Sequence, residues 1–146
     1  MVNASFAFGN IDESDPVLDA RFKGHEIAQR NGSFSMRISL NGVEIAYAFA
    51  YPVDPEHYMI AALTVDKRLR GRKIGTYAMK FLQTHIRELS GRYLMAYCPL
   101  GLERFFLSLG FKDVSLGEVS IDEFGQQTVL MQKQCFRPVS YTHLTL

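Results

Sequence analysis

The chain has 146 residues, of which 47% are hydrophobic, and its 16 Lys and Arg against 15 Asp and Glu give a formal net charge of +1. This length and composition predict one globular domain that can bury a core. The balanced charge gives no general attraction to nucleic acid or to an anionic membrane, so neither is an expected partner.

Other sequence-wide features predict the compartment and the absence of a metal. No apolar run approaches the roughly 18 residues that span a bilayer, and the N-terminus lacks the pattern of a signal peptide, so we expect a cytoplasmic protein. The two cysteines, Cys98 and Cys135, have no metal-like spacing. They predict free thiols in a reducing environment and no metal site.

A β-hairpin is predicted after an irregular first third, in which residues 6–8 favour a strand and one or two short helices follow. Residues 34–40 alternate apolar and polar side chains, Asn41-Gly42 favours a two-residue type I′ turn, and residues 43–51 alternate again. Three alanines share one face of the second arm and leave room for close packing: Ala46, Ala48 and Ala50. Residues 57–65 form an apolar run typical of a central strand.

Helical spacing of apolar residues starts at residue 74. The predicted apolar stripe consists of Ile74, Ala78, Phe81, Leu82, Ile86 and Leu89. Gly91 is expected to stop this helix. Residues 93–98 are predicted to form a strand. Residues 102–109 are predicted to form a second helix, which Gly110 ends in the left-handed conformation. Residues 111–116 and 128–134 are predicted to form two final strands joined by a polar loop.

A basic loop with two glycines joins the strand at 57–65 to the first helix. The start of a helix leaves backbone N–H groups unpaired and carries partial positive charge, which favours a phosphate oxygen. Gly71 and Gly75 allow close approach of the backbone, and the cationic donors are Arg70, Arg72 and Lys73. The loop therefore predicts a phosphate site, although neither a P-loop nor a dinucleotide-binding glycine pattern is present.

The order strand, Val65, Arg70, Gly75, helix resembles the acetyl-CoA pyrophosphate loop of the GNAT family of N-acetyltransferases, with Lys73 where that family usually has a glycine. Residues 105–111, Phe-Phe-Leu-Ser-Leu-Gly-Phe, resemble the family's segment after the fifth strand. The resemblance covers roughly residues 34–134. It implies an α/β (α+β) fold with a mixed, mostly antiparallel central sheet, splayed parallel fourth and fifth strands and flanking helices, in a single domain over residues 1–138.

The resemblance also implies acetyl-CoA as co-substrate and direct acetyl transfer to a primary amine of a small molecule, an amino acid or a protein, within one ternary complex. Backbone groups of Leu63 and Val65 would bind the pantetheine arm and polarise the thioester carbonyl. The implied cofactor-binding residues are Leu63, Val65, Arg70, Gly71, Arg72, Lys73, Ile74, Gly75, Thr76 and Phe106.

Proton transfer is where the chain departs from the family. Phe106 occupies the position of a tyrosine that often protonates the leaving thiolate, so Tyr97 becomes the candidate acid, with Cys98 beside it. The strand at 57–65 lacks the glutamate that serves many relatives as general base, which leaves His57 or Glu44 as candidates. These departures keep open a catalytically weak acyl-CoA-binding sensor or interaction module. An aminoacyl-tRNA-acetylating toxin ranks lower, because the chain is nearly neutral.

Three further expectations concern the two ends of the chain and its assembly. Four acidic residues precede residue 20, and we interpret them as a solvated helix face, with attraction of an amine acceptor as the alternative. Residues 139–146, Val-Ser-Tyr-Thr-His-Leu-Thr-Leu, resemble a translated sequencing adaptor and are interpreted as a non-native tail. The edges of the final hairpin suit pairing in a homodimer.

Overall fold

A computed structural model describes residues 4–9, 31–66, 73–122 and 125–135. The strands are β1 (Ala4–Gly9), β2 (Phe34–Leu40), β3 (Val43–Pro52), β4 (His57–Val65), β5 (Tyr93–Pro99), β6 (Lys112–Asp113), β7 (Ser120–Ile121) and β8 (Gln127–Gln134). The helices in the described ranges are α1 (Ile74–Glu88) and α2 (Glu103–Ser108). The predicted helices within residues 1–32, the acidic residues there and the tail at 139–146 lie outside the described residues.

One sheet contains all eight strands of the described ranges, in the order β1-β2-β3-β4-β5-β8-β6, with β7 also paired to β8. The β4–β5 pair is parallel, and the remaining pairs are antiparallel. This confirms the expected fold class. No helix in the described part of the chain is long and apolar enough to cross a membrane.

The predicted hairpin is confirmed as β2 and β3. Asn41 and Gly42 have φ values of 52° and 79°, the positive values that a type I′ turn needs at both central positions. Ala46, Ala48 and Ala50 are buried, and α1 packs across β3 and β4. The small side chains of β3 therefore let the helix lie close to the sheet, as their spacing predicted.

Helix α1 buries Ala78, Met79, Leu82 and Ile86 against the sheet. We call the side of the sheet that carries α1 the helix face and the other side the far face. Leu89, which the stripe included, is 44% exposed. It lies outside the core because the helix ends at Glu88 and the chain turns there.

The end of α1 corrects the expected role of Gly91. The residue with positive φ is Ser90, at 68°, and the Gly91 N–H donates to the Ile86 carbonyl at 2.9 Å. Gly91 is needed for space: a Cβ there would lie 2.5 Å from Ile86 Cγ2 and 2.9 Å from the Tyr58 ring. Ser90 thus occupies the left-handed position of a Schellman motif, and the glycine allows the chain to pass close to the core.

The strand expected at 111–116 is shorter than predicted, because the chain turns after Asp113. One carboxylate oxygen of Asp113 accepts hydrogen bonds from the N–H and the hydroxyl of Ser115, at 2.8 and 2.6 Å. Leu116 and Gly117 then adopt positive φ values of 56° and 83°. Only β6 remains of that strand, and β7 forms within what was predicted as a polar loop.

Candidate active site

The parallel strands β4 and β5 separate after a short common stretch. Their ladder pairs His57 with Tyr93, Tyr58 with Leu94 and Met59 with Met95. Beyond these residues the two strands are not paired, although β4 continues to Val65 and β5 to Pro99. The sheet therefore has an opening between the second halves of its two central strands. This is the splay that the family resemblance implied.

A β-bulge in β4 lies at the start of this opening. In the ladder with β3, Ala50 stands opposite Ile60 and Phe49 opposite Ala62, so Ala61 is an extra residue on β4. Bulges bend a strand and increase its local twist. The bend falls two residues after the last β4–β5 pair, which gives the separation of the strands a local cause.

The backbone of Leu63 and Val65 is directed into the opening. The Asp66 N–H donates to the Ile45 carbonyl at 2.8 Å, which makes 66 and 45 a hydrogen-bonded pair of the β3–β4 ladder. Because such pairs alternate along an antiparallel ladder, the N–H and C=O groups of Val65 and Leu63 point away from β3, towards β5. The opening thus has a strand edge that can bind an extended ligand arm.

Helix α1 starts at the end of the sheet where β4 ends, beside the opening. Lys73 precedes the helix with φ 62° and ψ 18°, and no side chain caps its first turn. The first-turn N–H groups, from Ile74 to Thr76, lie where a helix favours an anion. Arg70, Gly71 and Arg72 lie outside the described residues, so the structure places only the second half of the predicted phosphate loop.

Tyr97 lies beside the opening, on β5. Leu94, Ala96 and Cys98 belong to the core on the helix face, whereas Tyr97 alternates with them, lies on the far face and is 49% exposed. It is the first far-face residue of β5 after the last β4–β5 pair. Residue 97 therefore lies beside the opening, and its role as the acid stays a prediction.

His57 lies at the closed end of the strand pair. Its Nδ1 is 2.9 Å from Asp54 Oδ1, and its ring stacks on Tyr93 with 4.8 Å between the ring centres. The hydrogen bond with His57 holds the pKa of the Asp54 carboxyl below its usual value. Six residues separate His57 from Leu63, about 20 Å along a strand, so the structure does not bring this histidine to the opening.

Glu44, the other base candidate, lies near the hairpin turn. Its Oε1 is 2.7 Å from Arg37 Nη1, and it stands opposite Ser39 in the ladder.

Phe106, on α2, packs on the core with its ring edge-to-face against Phe105 and Phe111, at 5.7 and 5.3 Å. Gly110 ends α2 with φ 92°, as predicted.

Cys98 is fully buried on the helix face of β5. Burial, together with the negative charges of Glu103 and Asp113, raises the pKa of its thiol to about 11. A thiol with that pKa is almost entirely protonated at neutral pH and is a poor nucleophile. The acid role that the sequence left open for Cys98 would need access to the opening, whereas this side chain points into the core.

Sequence reasoning missed a row of far-face side chains at the last β4–β5 pair, where the opening begins. Tyr51, Met59 and Met95 stand opposite one another in register across β3, β4 and β5. Each is unremarkable in its own strand. Their shared position depends on the register of three strands, a property that no local pattern contains.

The family model of the GNAT acetyltransferases matches residues 4–111, and the chain belongs to this family. No curated protein sequence matches the chain. Among solved structures, an aminoglycoside 6'-N-acetyltransferase complexed with coenzyme A is similar with a TM-score of 0.69 and 12% identity, over 92% of this chain and 99% of that one.

Two further solved structures show the same fold. An IAA acetyltransferase from Bacillus cereus has a TM-score of 0.70 and 14% identity, covering 89% of this chain and 99% of its own. A GNAT acetyltransferase from Elizabethkingia anophelis with acetyl-CoA bound has a TM-score of 0.67 and 12% identity, covering 88% of this chain and 97% of its own. At these identities the likeness establishes the fold.

Proposed function

We propose that this protein transfers the acetyl group of acetyl-CoA to a primary amine by direct attack within a ternary complex. The carrying observation is the opening between β4 and β5, with the Leu63 and Val65 backbone directed into it. The pantetheine arm would bind there as an added strand, and the pyrophosphate would bind at the start of α1 and the preceding basic loop. Membership of the GNAT family supports this proposal.

In the reaction, the amine nitrogen forms a C–N bond with the acetyl carbon while the carbon–sulfur bond of the thioester breaks. The amine loses a proton, and the CoA thiolate leaves and takes one up. A backbone N–H of β4 would stabilise the negative charge that develops on the carbonyl oxygen. Holding amine and thioester together in the opening can contribute on the order of 7–11 kcal/mol.

Direct transfer is favoured over an acetylated enzyme. The described cysteines, Cys98 and Cys135, are both buried, and burial raises the pKa of each thiol to about 11. Neither supplies an activated thiolate at neutral pH. The acetyl group would therefore pass straight from CoA to the amine.

The Tyr97 hydroxyl is the proposed proton donor to the leaving thiolate. Tyr97→Phe keeps the ring and removes the donor, so we expect kcat to fall by about 10²-fold, the lower end of the range for a positioned acid, because a CoA thiolate is a stable leaving group. Thiol release measured under saturating acetyl-CoA tests this. An unchanged kcat would remove Tyr97 from the proton path.

His57 remains a prediction as general base, and it would have to act through intervening water from the closed end of β4. His57→Gln keeps a polar side chain next to Asp54 and removes the imidazole. If His57 is the base, kcat/KM falls by about 10²-fold or more in the variant. An unchanged kcat/KM assigns the base elsewhere.

The test of the proposed function combines binding and turnover. Calorimetric titration should show binding of acetyl-CoA and of desulfo-CoA. A thiol-release assay over a panel of amines should then show turnover. Leu63→Pro removes an N–H that is not part of the β3–β4 ladder, and it should lower kcat by about 10²–10³-fold if that N–H binds the oxyanion. Leu63→Ala is the matched control, since it keeps the N–H. A folded protein that binds neither ligand contradicts the proposal.

A CoA-binding sensor without efficient turnover is the second candidate, and Phe106 is the observation that favours it. The residue that replaces the family's tyrosine has no hydroxyl, and its ring packs among Phe105 and Phe111. Tight acetyl-CoA binding with no thiol release for any amine would select the sensor. Release with one amine would select the enzyme.

A further inference from the structure

The far face of the sheet carries aromatic, thioether and aliphatic side chains around the opening. Tyr51, Met59 and Met95 form one row across three strands. Tyr97 follows Met95 on the same face and stands opposite Leu130 of β8. We call these five side chains the far-face patch.

The members of the patch differ in exposure in a way that suits a bound ring. Met59 is 7% exposed, whereas Tyr97 is 49% exposed. Tyr51, Met95 and Leu130 are half-buried. The accessible Tyr97 ring, together with the half-buried Met95 and Leu130 on the same face, provides contact area and a stacking surface for a flat apolar group.

Charged side chains are absent from this part of the far face. In the described strands, the far-face positions of β3 after Glu44, of β4 after His57, and along β5 and β8 carry neither Asp, Glu, Lys nor Arg. The carboxylate of Glu44 lies 2.7 Å from the Arg37 guanidinium, and that of Asp54 bonds His57. Asp66 follows β4 at the other end of the opening, whereas the patch itself contains no described counter-charge for a polycationic acceptor.

We infer that the acceptor is a monoamine attached to an aromatic or similarly flat apolar body, which packs on Tyr97 and Met95 while the amino group enters the opening. This deepens the proposed function and rests on it for the position of the thioester. The ring of Tyr97 sets specificity here, a role separate from that of its hydroxyl. Removing the hydroxyl alone should therefore leave the preference for aromatic amines intact.

The experiment measures binding, so that it does not depend on turnover. Protein saturated with CoA is titrated calorimetrically with 2-phenylethylamine, n-propylamine and spermidine. We expect 2-phenylethylamine to bind about 10- to 100-fold more tightly than n-propylamine, the gain that corresponds to burial of a phenyl ring, and more tightly than spermidine. Equal affinities for the two monoamines, or tighter binding of spermidine, would overturn the inference.

Variants at Tyr97 separate the contribution of its ring to amine preference from that of its hydroxyl. Tyr97→Phe should keep the preference for 2-phenylethylamine over n-propylamine, and Tyr97→Leu should lose most of it while retaining CoA affinity, which reports that the variant is folded. Tyr93→Leu is the matched control, because Tyr93 lies on the same strand and face but at the closed end, stacked on His57. A preference that survives in Tyr97→Leu, or is lost equally in Tyr93→Leu, contradicts the assignment.

The outcomes also separate this inference from the proposed function. Selective binding of 2-phenylethylamine without thiol release would support the patch and reject the transferase. Thiol release with n-propylamine and spermidine at the same kcat/KM as with 2-phenylethylamine would support the transferase and reject the patch.

Discussion

Lys73 precedes α1 with φ 62° and ψ 18°, a conformation that glycine adopts without cost and a lysine does not. This is the position at which the family motif usually has glycine, so the structure supplies the physical reason for that preference. The lysine keeps a cationic side chain at the start of the helix, where a phosphate is favoured. At this residue, backbone strain accompanies a gain in charge.

Substituting Lys73 separates these two effects. Lys73→Gly relieves the left-handed strain and should be more stable than Lys73→Ala by about 1 kcal/mol, since alanine keeps a Cβ in the same conformation. Both variants lose the cation, so we expect both to bind acetyl-CoA more weakly and to a similar extent. Guanidinium unfolding and calorimetry measure the two quantities. Equal stability of the two variants would mean that the strain has no energetic weight.

At the scale of elements, the end of α1 is held by close packing as well as by its cap. The Gly91 backbone lies against Ile86 and the Tyr58 ring, so that the chain enters β5 directly beside β4. This contact fixes the closed end of the strand pair, from which the opening begins. The end of α1 and the start of β5 are therefore held together at one glycine.

Gly91→Ala tests that link. The added Cβ would lie 2.5 Å from Ile86 Cγ2, so we expect a loss of about 1–3 kcal/mol of stability, as for other overpacked cores. Gly9→Ala is the control, because a Cβ at Gly9 meets nothing within 4 Å. Thermal unfolding of both variants measures the difference in their stability. A Gly91→Ala protein as stable as the Gly9→Ala protein would show that the packing there adjusts freely.

At the scale of the whole molecule, the thiols of Cys98 and Cys135 report on unfolding of the core. Both are completely buried, and burial raises the pKa of each thiol from an ordinary value of 9.0 to about 11. An unfolded chain loses these protons as the pH rises past 9, while the folded chain keeps them until about 11. The unfolded state then binds fewer protons, so the stability of the fold decreases over this range.

Thiol labelling with DTNB at pH 8 should be at least about 100-fold slower for the folded protein than in 6 M guanidinium, because a pKa higher by two units alone lowers the thiolate fraction by that factor. The denatured chain should react at both of its two cysteines. Prompt labelling of the folded protein would show that the core opens locally around a cysteine. Labelling that accelerates between pH 9 and 11 beyond the rise in thiolate would report the expected loss of stability.

Local patterns predicted many of the described elements. The β2–β3 hairpin, the β4 strand, α1 and the Gly110 end of α2 follow from turn residues and periodicity within a few residues. The prediction was wrong at 111–116, where the Asp113–Ser115 hydrogen bonds turn the chain. It also mistook the role of Gly91, whose neighbour Tyr58 is distant in sequence. The homodimer and the acid and base assignments stay predictions.

The sequence by itself predicted the family, which the family model confirms, and a phosphate-binding loop, which stays a prediction; it also has Phe106 in place of the usual tyrosine. These features depend on residue type and spacing along the chain. Only the tertiary structure decided where β4 and β5 part, which way the Leu63 backbone points, and that Tyr97 and Met59 share a face beside the opening whereas His57 lies at its closed end. Those features arise from strand register and a bulge, which join residues far apart in the sequence.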